Sequence, residues 1–243
     1  MENLGFVNEN PLAPDCYFCS NRHKSVLKCV SMDSLDKINS TKEFRIFRKG
    51  EFVIHSGDKA EGFYFIKSGC VRIYRNSSSG KEQTFSIRRS GEWVGFRDLL
   101  TGSNFSQNAE ALESVEACYI QKDVLEDLMK NDSKLQLEIL KQMAIEWKEL
   151  EDQTVALGTK QVHSKLAELL ISFQAASGNE PEIELNLTRE IMASMVGTTT
   201  ETLVRALSDF KNRDWIEIHK NRIRFLNLEA LRGISNLETK THS

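Results

Sequence analysis

The sequence predicts an α+β protein: a glycine-punctuated antiparallel β-barrel or jelly roll, then one long helix, then a winged helix-turn-helix. Three observations predict it. Residues 41–122 carry short apolar-alternating runs separated by glycines at 50, 57, 69, 80, 91, 95 and 102, the spacing of antiparallel strands joined by tight turns. Residues 131–157 contain neither proline nor glycine and are rich in helix formers. Residues 187–210 read as two short helices broken by Gly197, and two alternating runs around a polar turn follow them.

In chain order, the first 33 residues come first. They hold Cys16, Cys19 and Cys29 as C-x2-C-x9-C in a polar stretch that also contains Pro11 and Pro14. Ordinary thiols in a tail need no partner. However, cysteine is usually buried, and a metal or iron–sulfur cluster would supply the order that so polar a segment lacks. The spacing favours a metal or cluster without naming the site type. The strands follow as EFRIF, EFVIHSG, GFYFIKSG, CVRIYRN, EQTFSIR, EWVGF and EACYIQ. Cys70 starts one of them and Cys118 lies near the end of the last, and each reads by itself as a small core residue.

A short helix is expected around residues 123–130, and the long helix after it. Leu140, Met143, Trp147, Leu150, Thr154 and Leu157 recur by three and four, the a/d pattern of a coiled-coil seam. At ~1.5 Å per residue this helix runs about 40 Å. A seam between two copies is favoured over a helix packed on its own barrel, with Gly158 as the hinge. Residues 161–175 then form the first helix of a C-terminal domain, and 177–181 a loop before 183–187.

In that domain Thr188 caps a helix whose Ile191 and Met195 share one apolar face. Gly197 supplies the positive φ of a tight turn. Thr198 opens the next helix with Glu201 in capping-box spacing. Leu203, Ala206, Leu207 and Phe210 form its apolar stripe, while Thr200, Glu201, Val204, Arg205 and Ser208 face outwards. Such a helix suits a DNA major groove; read blandly, Glu201 and Arg205 are a surface ion pair. The hairpin over 214–226 tips the balance. Five basic residues stand between 211 and 224 against Asp214 and Glu217, and Lys220, Arg222 and Arg224 suit phosphate contacts.

The whole chain of 243 residues has room for two modest domains, and its net charge of −3 excludes a generally basic nucleic-acid coat protein. No apolar run reaches the ~18 residues of a membrane span, and the N-terminus lacks a signal peptide. A cytoplasmic protein is expected, in which five cysteines do not form structural disulfides. The histidines at 23, 55, 163, 219 and 242 form no HExxH or other enzymatic zinc pairing, and no nucleophile–base constellation appears. An enzyme is not expected.

A β-roll, a long helix and a C-terminal winged helix-turn-helix, in that order, resemble the CRP/FNR family of bacterial transcription regulators. The segments GFYFIKSGCVRIYR, GEWVGF and LTREIMASMVGTTTETLVRAL carry the likeness most strongly. The resemblance implies a cupin-like β-roll (the cyclic-nucleotide-binding-domain fold) at 34–130, after a cysteine-rich segment at 1–33. A dimerisation helix at 131–158 and a winged helix-turn-helix at 159–243 complete it. Within the family the chain looks like the FNR-type branch, in which a [4Fe–4S] cluster senses oxygen. Cys16, Cys19 and Cys29 match the three N-terminal ligands, with a longer gap before the third, and Cys118 matches the fourth. The likeness further implies a homodimer on palindromic double-stranded DNA with TTGAT-like half-sites, and RNA polymerase as a partner. DNA contacts would come from Thr188, Arg189, Thr198, Thr200, Glu201, Val204, Arg205, Lys220 and Arg222, with Val204 where the branch usually carries serine.

No cyclic nucleotide is expected. Its phosphate needs an arginine and its ribose a glutamate, whereas the corresponding cassette here has Phe96 after Gly95 and no arginine beside Ser106 in Ser106-Gln107-Asn108-Ala109. Two alternatives stand: a family member carrying structural zinc, haem or a small ligand instead of a cluster, and, remotely, an iron–sulfur redox protein.

Overall fold

The alternating runs pair as two four-stranded antiparallel sheets. β1 (Glu43–Phe47), β3 (Gly62–Ser68), β6 (Trp93–Val94) and β8 (Val115–Gln121) make one, in the order β1-β8-β3-β6. β2 (Phe52–Ile54), β4 (Val71–Asn76), β5 (Glu82–Arg88) and β7 (Asn108–Ala111) make the other, in the order β2-β7-β4-β5. This is a computed structural model, and it describes residues 15–235. His242, Pro11 and Pro14 lie outside the described residues. The chain divides into two units, residues 15–81 with 85–147 and residues 82–84 with 148–235.

In the first unit, alternate strand residues such as Phe63, Phe65, Val71, Ile73, Ala109, Ala117 and Ile120 build one core, as period-two burial requires. β8 is central, and Cys118 sits mid-strand opposite both Phe44 and Phe65, not near the strand end as the sequence suggests. The EWVGF run pairs only at Trp93 and Val94. Gly95 (φ +86°) turns the backbone there, and a Cβ on it would meet Ile54 Cδ1 at 2.6 Å. From that bend α2 (Phe96–Thr101) begins.

Several elements of this unit have no strong sequence signal. The cysteine segment folds as three 3-10 turns, Cys16–Phe18, Arg22–Lys24 and Val26–Cys29, the first and last capped by the side chains of Asp15 and Ser25. α1 (Met32–Thr41), capped by Ser31, buries only Leu35 and Ile38 among its apolar residues, too narrow a stripe to stand out. α3 (Lys122–Asn131) lies where the sequence places it. α4 (Ser133–Thr159) ends one residue beyond Gly158, with two residues left before the next helix begins. At the junction of α3 and α4 the buried Asp132 accepts from the backbone N–H of Leu135 (3.0 Å) and of Ser31 (2.9 Å), tying the start of α1 to the start of α4.

The second unit contains α5 (Val162–Ala176), β9 (Glu182–Glu184), α6 (Arg189–Val196), α7 (Thr200–Asn212), β10 (Ile216–His219), β11 (Arg222–Phe225) and α8 (Leu228–Ser235). Its core gathers Leu166, Leu170, Met192, Leu203, Phe210, Ile216, Ile223 and Leu231. The hairpin gains a third strand, since β9 pairs with β11 with Ile183 opposite Ile223. Among the described residues no helix is long and apolar enough to cross a membrane.

Candidate functional site

Cys16 opens the first 3-10 turn, and its backbone N–H donates to Asn39 Oδ1 of α1 at 3.0 Å. Cys19 ends that turn, and Cys118 comes from the centre of β8. These three line one cavity of about 40 Å³, floored by apolar side chains of α1, β3 and β8. A single water needs ~10–15 Å³ by the same measure, so the space suits an inorganic group of a few atoms and not an organic ligand of nucleotide size.

Burial pushes the Cys16 thiol up, against the downward pull of the Lys42 charge and hydrogen bond. Cys118 is pushed up to about 12, first by burial and then by neighbouring Cys16. Taking up a metal as thiolates would release protons. Soft sulfur donors on a small apolar cavity fit an iron–sulfur or zinc group chemically.

The fourth expected ligand is not brought to this cavity. Cys29 ends the third 3-10 turn, half-buried, and does not line the space. Among the described residues no cluster of three or more Cys, His, Asp or Glu is arranged to hold a metal ion. Cys70 also lies elsewhere. It is half-buried, not a core residue as the sequence suggested, and burial with neighbouring Glu113 pushes it up to about 11. The cavity also contains Lys42, which sequence reasoning missed because a single lysine before a strand carries no pattern.

At the nucleotide cassette, Phe96 is buried and stacks on Trp93 at 4.2 Å between centroids, edge-on to Phe63. Asp98 accepts from the Ser106 N–H and hydroxyl (3.1 and 3.0 Å). The sequence places no arginine beside Ser106. The fold does, for Arg97 reaches across from α2 to donate to Ser106 Oγ and to pair with Asp98.

In the second unit, Thr188 caps α6 by accepting from the Ile191 N–H, and Arg189 donates to Met192 Sδ. Gly197 takes φ +69°, and a Cβ on it would stand 2.8 Å from Leu157 Cδ2, so the turn needs glycine for both reasons. The cap of α7 is Thr199, accepting from the Thr202 N–H, one residue later than the expected Thr198. Capping-box spacing therefore ends at Thr202 and not at Glu201. Leu203, Ala206, Leu207 and Phe210 are buried, as the stripe requires. Thr200 is half-buried, whereas Glu201, Val204 and Arg205 are exposed. Arg205 pairs with Glu201 at 2.5 Å across one turn, a surface pair worth little by itself.

Lys220 stands exposed at the tip of the β10–β11 hairpin with φ +53°. Arg222 approaches Glu182 and Glu184 of β9 at 3.6 and 3.9 Å, and Arg224 approaches Glu217 at 3.9 Å. Acids on neighbouring strands thus offset part of the hairpin's positive charge.

On α4, Leu135 and Ile139 are buried, whereas Leu140 (61 %), Met143, Trp147 (68 %) and Leu150 are exposed. Thr154 is exposed and Leu157 half-buried. At about 100° per residue these six fall on one side of the helix. Glu146 points elsewhere, accepting from Arg88 (3.1 and 2.9 Å) and from Trp93 Nε1 (2.9 Å) of the roll.

Two family descriptions match the chain: a cyclic nucleotide-binding domain over residues 44–132 and a Crp-like helix-turn-helix domain over residues 164–234. The fumarate and nitrate reduction regulatory protein of Vibrio cholerae is 30 % identical over 211 residues, covering 84 % of this chain and 83 % of that protein. The anaerobic regulatory protein of Haemophilus influenzae is 30 % identical over 230 residues, covering 93 % and 89 %. Among solved structures, FixK2 from Bradyrhizobium japonicum superposes with a TM-score of 0.75 at 23 % identity, over 82 % of this chain and 99 % of that one. That last likeness is one of fold.

Proposed function

The chain belongs to the CRP/FNR family of transcription regulators, and from that premise we propose that it is an oxygen- or nitric-oxide-responsive regulator whose grip on DNA depends on a [4Fe–4S] cluster held by Cys16, Cys19, Cys118 and Cys29. One observation carries this reading: thiols from residues 16, 19 and 118 share a single small cavity. The names of the relatives, fumarate and nitrate reduction regulatory protein in Vibrio cholerae and anaerobic regulatory protein in Haemophilus influenzae, point the same way.

When bound, the cluster supplies a thiolate-ligated centre sensitive to oxidants. The chain does the rest. Cys16 and Cys19 would hold the group from the first 3-10 turn and Cys118 from β8, while Cys29, which ends the third turn off the cavity, would have to move in as the fourth ligand. The ordered segment abuts α4: Lys28 pairs with Glu138 at 3.1 Å, and the Ser31 N–H bonds Asp132. Order in residues 16–31 thereby favours one arrangement of α4 and stabilises the state that makes those contacts. The exposed face of Leu140, Met143, Trp147, Leu150, Thr154 and Leu157 meets the same face of a second copy, as a two-fold seam would. The pair then presents two α7 helices to half-sites about one helical turn, ~34 Å, apart.

At each half-site Arg205 gives a bidentate contact to guanine and Glu201 accepts from cytosine N4. Val204 meets a thymine methyl, consistent with a TTGAT-like sequence. Thr188, Arg189, Thr198, Thr200, Lys220 and Arg222 hold phosphates and fix the register. No cyclic nucleotide takes part, because Phe96 fills the place of the ribose-binding glutamate with an aromatic stack. RNA polymerase is the downstream partner, in the cytoplasm.

Protein purified without air tests the cofactor. Broad visible absorbance with iron and sulfide at roughly four each per chain supports the reading. A colourless protein with stoichiometric zinc, or a sharp haem band, overturns it.

A further inference from the structure

Among the described residues, the cavity that gathers Cys16, Cys19 and Cys118 is also lined by Arg22, Lys42 and Lys67, and by no aspartate or glutamate. Lys42 is the most buried of the three cations, at 2 % exposure. It caps the C-terminus of α1, and its Nζ donates to Asn39 Oδ1 at 2.5 Å and to the Asn39 carbonyl at 3.3 Å. Asn39 Oδ1 is the atom that also accepts the Cys16 backbone N–H. One amide oxygen thus fixes both a thiol-bearing residue and an ammonium at the wall of the same small space.

From this juxtaposition of three sulfurs and three cations, we propose that Lys42 is a positioning residue for an anionic, thiolate-ligated group in the cavity, offsetting the group's excess negative charge and setting how tightly the protein holds it. The inference rests on the cluster reading above and goes beyond it. It assigns a role to a residue outside the ligand set. Thiolates around an iron–sulfur or zinc centre carry more negative charge than the metal neutralises, so a fixed ammonium at the wall strengthens the hold. Asn39 keeps the ammonium in place by taking two of its bonds, and Lys67, salt-bridged to Glu116 at 2.9 Å, contributes less.

The test uses the full chain, reduced and metal-free, titrated anaerobically with cobalt(II), alongside the air lifetime of the visible absorbance of the iron-loaded protein. Lys42→Met should weaken cobalt binding about 10–100-fold, the range for a lost partner of metal ligands, and shorten the lifetime in air. Lys42→Arg, which keeps the charge, should restore most of both. A folded Lys42→Met protein that binds cobalt as tightly as the parent overturns the proposal. Should Lys42→Met melt early, Lys42→Gln keeps a donor without the charge, and parent-like cobalt affinity in that variant overturns it equally. If the parent chain itself takes up neither cobalt nor iron, the cluster reading fails first; if the parent loads and the neutral variants load alike, only the role of Lys42 fails.

Discussion

In α7, thirteen consecutive residues supply both a buried face and an exposed one: Leu203, Ala206, Leu207 and Phe210 inwards, Glu201, Val204 and Arg205 outwards. In the thiol cavity no stretch of comparable length is sufficient. Cys16 and Cys19 belong to a 3-10 turn, Asn39 and Lys42 to the end of α1, and Cys118 to a strand some hundred residues on, adjacent only because β8 lies between β1 and β3. The contrast teaches how each site should fail. A site made of one helix separates into faces that can be damaged independently, whereas a site made of three distant elements loses all its properties together.

The largest expected effect tests that unity. Cys118→Ser should remove iron, visible absorbance and anaerobic operator binding at once, while Cys70→Ser, outside the cavity, should leave all three. Retention of full iron by the Cys118 variant would break the comparison. Next in size is the inner face of α7, where Phe210→Ala should lower the stability of the second unit by ~3–5 kcal/mol, read as an early melt with loss of all DNA binding. On the outer face, Arg205→Ala should leave the melt unchanged and cost ~1–3 kcal/mol of discrimination at one base pair. Equal losses on cognate and mutated half-sites would mean that Arg205 reads no base.

Asp132 sharpens the contrast from the side of the first unit. Burial pushes its carboxyl up most strongly, but the N–H groups of Ser31 and Leu135 and the hydroxyls of Ser34 and Ser31 together hold it below the usual carboxylate range. A carboxyl depressed in the folded state stabilises above its unfolded value of ~3.9 and loses that contribution as pH falls through the folded value. Asp132→Ala should therefore cost about 1–2 kcal/mol at neutral pH, with the gap to the parent closing in acid. A gap that stays constant with pH would assign the loss to packing. Smallest is the hairpin tip: Lys220→Ala should weaken every DNA sequence alike and reduce the salt slope by about one.

The same contrast explains what the sequence discloses. The apolar stripe of α7 and the glycine at 197 are local signals, read from spacing alone, and the fold bears them out. The roll was legible because its strands alternate, although Asn108–Ala111, only four residues long, passed unseen as β7. The cap slipped from Thr198 to Thr199 because three consecutive threonines offer equal chemistry and only the turn after Gly197 chooses among them. Gly158 stands one residue before the end of α4 at Thr159, so the glycine marks the end of the long helix nearly to the residue. The cavity was half legible. The C-x2-C spacing gave Cys16 and Cys19, and a family likeness gave Cys118. Lys42 and Asn39 had no signal, because their role exists only where α1 meets β8.

The central claim is that the state of the thiol cavity governs the pairing of two α4 helices and, through it, the grip on DNA. Sedimentation of a single anaerobic preparation with a palindromic operator duplex, before and after admission of air, tests it most directly. An iron-bearing dimer on DNA is expected beforehand, and afterwards an iron-free monomer that has released it. An air-exposed, iron-free protein that still sediments as a dimer on the operator would contradict it.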